Sequence, residues 1–153
     1  MNKVLELLNQ LEIKYKVVEH DPVYTVDQAQ YVKSMIEGTG AKSLFLKHKT
    51  DYYLYYLDDS KRADLKEVSR KLNIGRLSFA NEEELYEKLK LKPGSVTPLG
   101  IINDNHSVTL IIDKDLKNKT ILAHPNVNTI TVSMDYNDLI KYIEYHKNKY
   151  YEI

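Results

Sequence analysis

The alternation of apolar and polar positions predicts helices and strands in mixed order along the chain. Helical spacing near the N-terminus predicts an amphipathic helix that buries Val4, Leu5, Leu7, Leu8 and Leu11. Period-two alternation then predicts a half-buried strand whose apolar face carries Ile13, Tyr15 and Val17. Thr25 and Gln28 have the spacing of a capping box, so a second helix is expected to start there and to end at Gly38 and Gly40.

Two apolar runs, 41–48 and 52–57, flank polar residues and predict a β-hairpin. The second run has no polar face, so it is expected in the interior of the sheet. Three short elements follow: a helix over 64–73 closed by Gly75, a strand at 76–80, and a helix to Lys90 capped by Asn81 and Glu84. The runs 101–103 and 107–113 are joined by turn residues and predict a second hairpin.

The last third of the chain continues the mixed order. A strand pair after Thr120 is interrupted at His124 and Pro125. A final helix over 135–147 is expected to bury Leu139, Ile140 and Ile143. Helices and strands in this order predict a single α+β domain over residues 1–153, with a mixed, curved, barrel-like β-sheet surrounded by helices.

Composition narrows the class of protein. The chain has 153 residues, which is long enough to bury a hydrophobic core. Of these residues 42% are hydrophobic and 29% are charged, as is typical of a soluble globular protein. No apolar run approaches the ~20 residues of a membrane span, and polar residues interrupt the N-terminal apolar pattern, which argues against a signal peptide. The absence of cysteine removes disulfides, thiolate nucleophiles and cysteine zinc sites. A cytoplasmic protein without membrane contact is expected.

The charge balance bears on nucleic-acid binding. There are 22 basic and 22 acidic residues, whereas proteins that coat long nucleic acids usually have a basic surplus. Binding along DNA is therefore not expected. Basic residues outnumber acidic ones nine to five between Lys42 and Arg76. That excess would suit contact with a few phosphates, and solvated helix faces explain it equally well.

Standard catalytic motifs are missing from the sequence. It contains no GxGxxG, GxxxxGK[ST], HExxH or GxSxG. The five histidines lack the spacing of metal ligands, so neither a metal nor an organic cofactor is expected. Three unusual stretches remain: GTGAKSLFL, which places Lys42 at a strand start after a glycine turn; PGSVTPLG, which is rich in glycine and proline; and AHPNVN.

His124 lies in the last of these stretches, where no charged residue occurs between Lys119 and Asp135. A strand-like run stops at His124 because Pro125 cannot continue a central ladder. The imidazole is therefore either a core histidine that caps a strand end or a group that faces a ligand. The segment alone favours the core position, because single motifs often mislead.

Several ordered motifs over about residues 2–147 make the sequence similar to a known family. HDPVYTV, GTGAKSLFLK, YYLYYLDDSKRADLKEVSRKL, LSFANEEEL, LKPGSVTPLGIIND and AHPNVNTITV occur in the order found in the YbaK / prolyl-tRNA-synthetase-associated domain family. That family includes the editing insertion of the synthetase and free-standing editing proteins. The opening helix and HDPVYTV most resemble the stand-alone branch that acts on alanine esterified to proline tRNA.

The resemblance implies an aminoacyl-tRNA deacylase that cleaves the ester of mischarged tRNA. It implies catalytic roles for Lys42 and His124 and contact between substrate and the GxxxP loop. The substrate-binding residues so implied are Ser43, Gly94, Ser95, Val96, Thr97, Pro98 and Gly100, with His20 and Tyr24 at the pocket mouth. Many alanine-specific members have asparagine where this chain has Ser43, which bears on the amino-acid preference. The implied partners are the acceptor 3′ end of mischarged tRNA, expected to be tRNA(Pro), and prolyl-tRNA synthetase.

The residues themselves suit this chemistry. Lys42 carries three donors for a phosphate or ribose hydroxyl, and a glycine loop can present backbone N–H groups at close range. A neutral His124 could orient water, act as a base or shape the amino-acid pocket, and the free hydroxyl of the terminal adenosine could share the role of base. A tight pocket would admit alanine and reject the bulkier proline ester. Two alternatives remain: a non-catalytic tRNA- or synthetase-binding module, and a deacylase for another amino acid such as Cys-tRNA(Pro).

Overall fold

The computed structural model describes residues 2–153, and of Val26 it describes the backbone alone. Within that range the α-helices are α1 Lys3–Gln10, α2 Val26–Met35, α3 Leu65–Leu72, α4 Glu82–Leu89 and α5 Tyr136–His146. The strands are β1 Tyr15–Glu19, β2 Ala41–His48, β3 Asp51–Asp58, β4 Ser78–Phe79, β5 Val108–Ile112, β6 Thr120–Ala123, β7 Ile130–Asp135 and β8 Tyr150–Glu152. Two 3₁₀ helices cover Pro98–Asn103 and Lys114–Leu116.

The strands form two sheets. A mixed five-stranded sheet has the order β4-β2-β3-β5-β8, in which β3 pairs in parallel with β5 and β5 with β8. An antiparallel three-stranded sheet has the order β1-β7-β6. A parallel bridge between Thr39 and Ile121 brings the start of β2 against β6, so the two sheets meet there. The predicted α+β class and mixed pairing are confirmed.

The core explains why these segments fold together. One buried cluster lies between the sheets and the inner faces of α1, α4 and α5, and includes Leu8, Leu89 and Tyr142. A second, smaller cluster lies between the other face of β3 and α3, and includes Leu57 and Val68. Because β3 is covered on both faces, residues 53–57 are all buried, as their unbroken apolar run predicts.

Local signals place most boundaries correctly. The capping boxes of Thr25 with Gln28 and of Asn81 with Glu84 are both formed. The hairpin β2–β3 turns at the predicted residues, with Lys49 at φ 55°. Helix α3, however, ends at Asn73 in the left-handed conformation, two residues before the predicted Gly75.

Three predictions about elements are wrong. Residues 101–103 belong to a 3₁₀ helix and not to a hairpin strand, because Pro98 begins it and Thr97 caps it through the Leu99 amide. The chain then crosses over so that β5 can pair in parallel with β3. Strand β8 has no counterpart in the prediction. The predicted apolar face of β1 is only partly covered, since Val17 is 46% exposed.

Candidate active site

His124 lies immediately after β6, where the chain leaves the three-stranded sheet. Pro125 stops the strand, and its carbonyl accepts a hydrogen bond from the Asn2 side chain at 2.7 Å. Asn2 is also the N-cap of α1, so the first helix is tied to the segment that carries His124. The turn that positions the imidazole is therefore held by a contact across most of the sequence.

Hydrogen bonds fix the orientation of the His124 ring. Its Nδ1 lies 3.1 Å from the Ile130 carbonyl oxygen, which can only accept, so Nδ1 carries the proton and Nε2 the lone pair. The Thr131 hydroxyl lies 3.4 Å from the same Nδ1 and 2.8 Å from His20 Nε2. His20 Nδ1 lies 2.8 Å from the Asp21 carbonyl oxygen, so that nitrogen donates and Nε2 accepts from Thr131.

This arrangement links the two histidines through one buried hydroxyl. Thr131 is 3% exposed, and the ring centroids of His20 and His124 lie 6.3 Å apart. Both tautomers follow from the backbone carbonyl that each Nδ1 contacts. The consequence is that His124 Nε2 is left as a hydrogen-bond acceptor for a group outside this network.

Burial controls the charge of His124. It lowers the pKa of the imidazole below its usual value, because a charged ring is poorly solvated there; the Ile130 carbonyl raises the pKa and the nearby His20 lowers it further. The dominant cause is desolvation, so the ring is neutral at pH 7. A neutral ring is the form that can accept a proton or a hydrogen bond from water.

A cavity of about 90 Å³ lies beside this imidazole. Its walls come from the end of β6, from Thr131 on β7, from the segment that enters β2, and from one face of α2; they include Ala29, Val32, Gly40, Ala41, Leu122, Ala123 and His124. The volume is well below the roughly 300–1,000 Å³ of sites for drug-sized ligands. The cavity therefore suits a side chain of very few atoms.

An ion pair lies in the wall of the same cavity. Lys33 Nζ on α2 lies 2.6 Å from Asp59 Oδ2, just beyond the end of β3. Neither residue was predicted to belong to the site, and neither was Thr131. Helical spacing marks Ala29, Val32 and Lys33 as one face of α2, but no sequence signal connects Lys33 with Asp59.

The GxxxP loop lies beside Tyr24. Gly94 has a φ of 88°, and a Cβ built there would be 3.5 Å from both the Tyr24 ring and the Asn128 amide nitrogen. Asn128 donates a 2.8 Å hydrogen bond to the Val23 carbonyl, which joins the AHPNVN segment to HDPVYTV. Its own Oδ1 is buried without a partner among the described residues. The three motifs thus meet around Gly94.

The rest of the loop divides into an outer and an inner part. Gly94 and Val96 line a depression of about 430 Å³ together with Ser43 and the 62% exposed Phe79. Ser95 is half-buried, and its backbone N–H donates to the Lys92 carbonyl. Three predicted loop residues are buried: Thr97, which caps the 3₁₀ helix, Pro98 and Gly100.

Lys42 and Ser43 are consecutive in β2, so their side chains leave the strand on opposite faces. Ser43 shares the face of Ala41 and Phe45, toward the larger core cluster. Lys42 shares the face of Leu44 and Leu46 and lines neither the 90 Å³ cavity nor the 430 Å³ depression. The structure thus joins His20 to His124 through Thr131, places Gly94 beside Tyr24, and leaves Lys42 on the other face of β2.

Within residues 2–153, no group of three or more His, Cys, Asp or Glu side chains could hold a metal ion. In the same range, no helix combines the length and apolar character needed to cross a membrane.

Known proteins with similar sequences carry names connected with prolyl-tRNA or its synthetase. The sequence pattern of the aminoacyl-tRNA editing domain matches residues 20–142. The chain is 36% identical over 151 residues to the prolyl-tRNA editing protein ProX of Acetoanaerobium sticklandii, covering 96% of this chain and 92% of that one. It is 34% identical over 144 residues to prolyl-tRNA synthetase associated domain-containing protein 1 of Danio rerio, covering 91% and 78% respectively.

A solved structure shows the same fold. The crystal structure of a proposed trans-editing enzyme for prolyl-tRNA synthetase superposes with a TM-score of 0.73 at 21% identity, over 97% of this chain and 94% of that one. At this identity the likeness concerns the fold. The sequence relatives carry the assignment further: the chain belongs to the family of aminoacyl-tRNA editing domains, which confirms both the family that its motifs resemble and the predicted enzyme class, an aminoacyl-tRNA deacylase.

Proposed function

We propose that this protein acts in trans on mischarged tRNA(Pro) and hydrolyses the ester of alanine. The names of its relatives, a prolyl-tRNA editing protein and prolyl-tRNA synthetase associated proteins, support the tRNA. The observation that supports alanine is the 90 Å³ cavity beside His124, walled mainly by small and apolar side chains. In this proposal the cavity accepts the methyl group of alanine, and the larger ring of proline is disfavoured by overlap with the same walls.

In the proposed reaction, water attacks the carbonyl carbon of the ester, and the bond to the terminal ribose oxygen breaks. The products are free alanine and a tRNA with both ribose hydroxyls restored. His124 Nε2, the acceptor left by the Ile130 contact, orients the water through a hydrogen bond. The Ile130 carbonyl keeps the proton on Nδ1 and so leaves Nε2 unprotonated, while Thr131 contacts the same Nδ1 and donates to His20.

The proposal divides the predicted binding residues by their burial. Gly94, Ser95 and Val96 at the outer part of the loop contact the 3′ end, and the positive φ of Gly94 supports a close approach of backbone N–H groups. The buried Thr97, Pro98 and Gly100 hold that loop in place. Ser43 faces the same depression and replaces the asparagine common among alanine-specific relatives.

Lys42 contacts the nucleotide in this proposal and does not enter the amino-acid cavity. It lies next to Ala41, a cavity wall, but on the other face of β2. Within residues 2–153 no carboxylate lies in ion-pair distance of it. A half-buried ammonium with unused donors suits a phosphate or a hydroxyl of the terminal nucleotide.

The test is deacylation of tRNA(Pro) charged separately with alanine, proline, serine and cysteine. The proposal requires hydrolysis of the alanine ester well above the buffer rate and protection of the proline ester. Faster hydrolysis of the cysteine ester would assign the enzyme to another amino acid. Binding of the charged tRNA without any ester loss would instead establish a non-catalytic module.

A further inference from the structure

The Lys33–Asp59 ion pair joins two parts of the cavity wall that have no other polar connection. Each side chain is about one-third exposed, at 31% and 33%. Within residues 2–153, this pair is the one side-chain hydrogen bond or ion pair that links α2 to either sheet. The same face of α2 carries the buried Val32 and the half-buried Ala29, which are apolar.

Gly40 shows how closely the pair is built into the site. The Asp59 backbone N–H donates to the Gly40 carbonyl at 3.1 Å, which places the carboxylate over the Gly40 Cα. A Cβ at this position would overlap both the Asp59 carboxylate and the end of Lys33. The φ of Gly40 is one that other residues can adopt. Glycine is therefore needed at this position because a side chain would occupy the space of the ion pair.

The location of the pair determines what it can affect. Ala29, Val32 and Lys33 form one face of α2, and this face lines the same cavity as Ala123 and His124. Movement of α2 away from the end of β3 would widen the cavity, because α2 and Asp59, just beyond that end, both contribute to its wall. A contact between Lys33 and Asp59 opposes that movement.

We propose that Lys33 and Asp59 are positioning residues that set the upper size limit for the amino acid. They act through α2, by holding its Ala29–Lys33 face against the end of β3, and they do not contact the reacting atoms. This inference rests on the proposed deacylase function and adds to it a determinant of substrate size.

The experiment compares wild type with Lys33→Met, which keeps the length of the side chain and removes its charge. Lys117→Met is the matched control, because Lys117 pairs with Glu152 at 3.6 Å and lies outside the cavity wall. Values of kcat/KM are measured for alanine-, serine- and proline-charged tRNA(Pro). Hydrogen exchange of the α2 amides is measured in the same proteins without substrate.

The expected result follows from the strength of partly exposed ion pairs. Lys33→Met should lower the preference for the alanine ester over the larger esters about two- to fivefold and accelerate α2 exchange by a similar factor. Gly40→Ala, which displaces the pair without removing a charge, should do the same. The double variant with swapped charges, Lys33→Asp with Asp59→Lys, should restore much of the preference for the alanine ester. Lys117→Met should change neither that preference nor the hydrogen exchange of α2.

Each other result would overturn the inference in a recognisable way. An unchanged α2 exchange rate would show that the pair does not hold the helix. Faster exchange with an unchanged ester preference would show that the position of α2 does not limit size. If the charge-swapped double variant does not restore the ester preference and its KM is raised equally for every ester, Lys33 or Asp59 contacts the substrate directly. If wild type cleaves no ester, the proposed function fails and the size limit falls with it, while the exchange data still report separately on the contact.

Discussion

Replacement of His124 by alanine tests the centre of the proposed site. The imidazole forms part of the cavity wall, donates from Nδ1 to the Ile130 carbonyl and contacts the Thr131 hydroxyl. His124→Ala removes the Nε2 acceptor and leaves a space in its place. Two effects should therefore appear together: slower hydrolysis of the alanine ester and weaker discrimination against larger esters.

The loss of rate and the loss of stability can both be bounded from the structure. Loss of a group that positions or activates the attacking water should lower kcat about 10²- to 10⁴-fold. Stability should fall by about 1–3 kcal/mol, because the Ile130 carbonyl and the buried Thr131 hydroxyl each lose a hydrogen-bond partner. For a chain of this length each kcal/mol corresponds to roughly 2–4 °C in the melting temperature. A folded protein with much reduced activity is therefore expected.

The assay measures rates on alanine-, serine- and proline-charged tRNA(Pro) together with thermal melting. His146→Ala is the matched control, because burial also lowers the pKa of His146, which packs on Tyr142 at a ring distance of 4.7 Å outside the cavity wall. Loss of stability in both variants with unchanged relative rates would refute the reasoning. His124 would then be a core histidine that caps a strand.

The pH dependence gives the same prediction a second readout. The pKa of His124 in the folded protein lies below its usual value of about 6.5, so the neutral ring persists to lower pH than in a free histidine. Activity should be flat from pH 7 to 8 and fall only as the pH drops through this lowered pKa. The unfolded chain binds the proton more readily, so the stability associated with this group is complete above about pH 6.5 and is lost as the pH falls toward the folded pKa. His124→Ala should remove that acid-side loss.

Three further substitutions distinguish residues that act on the substrate from residues that stabilise the fold. Lys42→Ala should sharply lower activity and change the melting temperature by only a few degrees, since no ion pair within residues 2–153 involves Lys42; an active, folded variant would exclude it from the site. Gly94→Val should impair activity and cost about 1–2 kcal/mol in unfolding free energy, because its φ of 88° disfavours any side chain; normal turnover would make the loop merely structural. Tyr56→Phe should cost about 1–2 kcal/mol by removing the 2.7 Å bond to the buried Leu122 carbonyl, and an unchanged denaturant midpoint would contradict this.

Local sequence signals predicted the elements well wherever the information lies within one element. The capping residues Thr25 and Asn81 determine helix starts through bonds three residues away, so they can be read from the sequence. The 3₁₀ helix at Pro98–Asn103 was missed because its apolar run is as compatible with a strand. Pro98 and Thr97 are local signals for the 3₁₀ helix. The pairing of β5 with β3 on one side and β8 on the other leaves no edge for a hairpin partner, and the local sequence does not encode that pairing.

The candidate site divides in the same way. His20, Tyr24, Gly94 and His124 lie in motifs with recognisable order, and the structure joins His20 to His124 and places Tyr24 beside Gly94. Thr131 was missed because the hydroxyl that joins two histidines looks like one more residue of an alternating strand.

The location of the cavity accounts for what the sequence could not reveal. The Thr39–Ile121 bridge joins the two sheets at the entrance to β2, and the cavity lies at this junction between β6 and α2. A site at a junction collects one or two residues from each element, so its residues are widely spaced in the sequence. Within β2, the period of two separates Lys42 from its neighbours Ala41 and Ser43, although all three belong to one motif. The order of motifs therefore identifies the family, whereas the face of each strand decides which residues can meet the same part of the substrate.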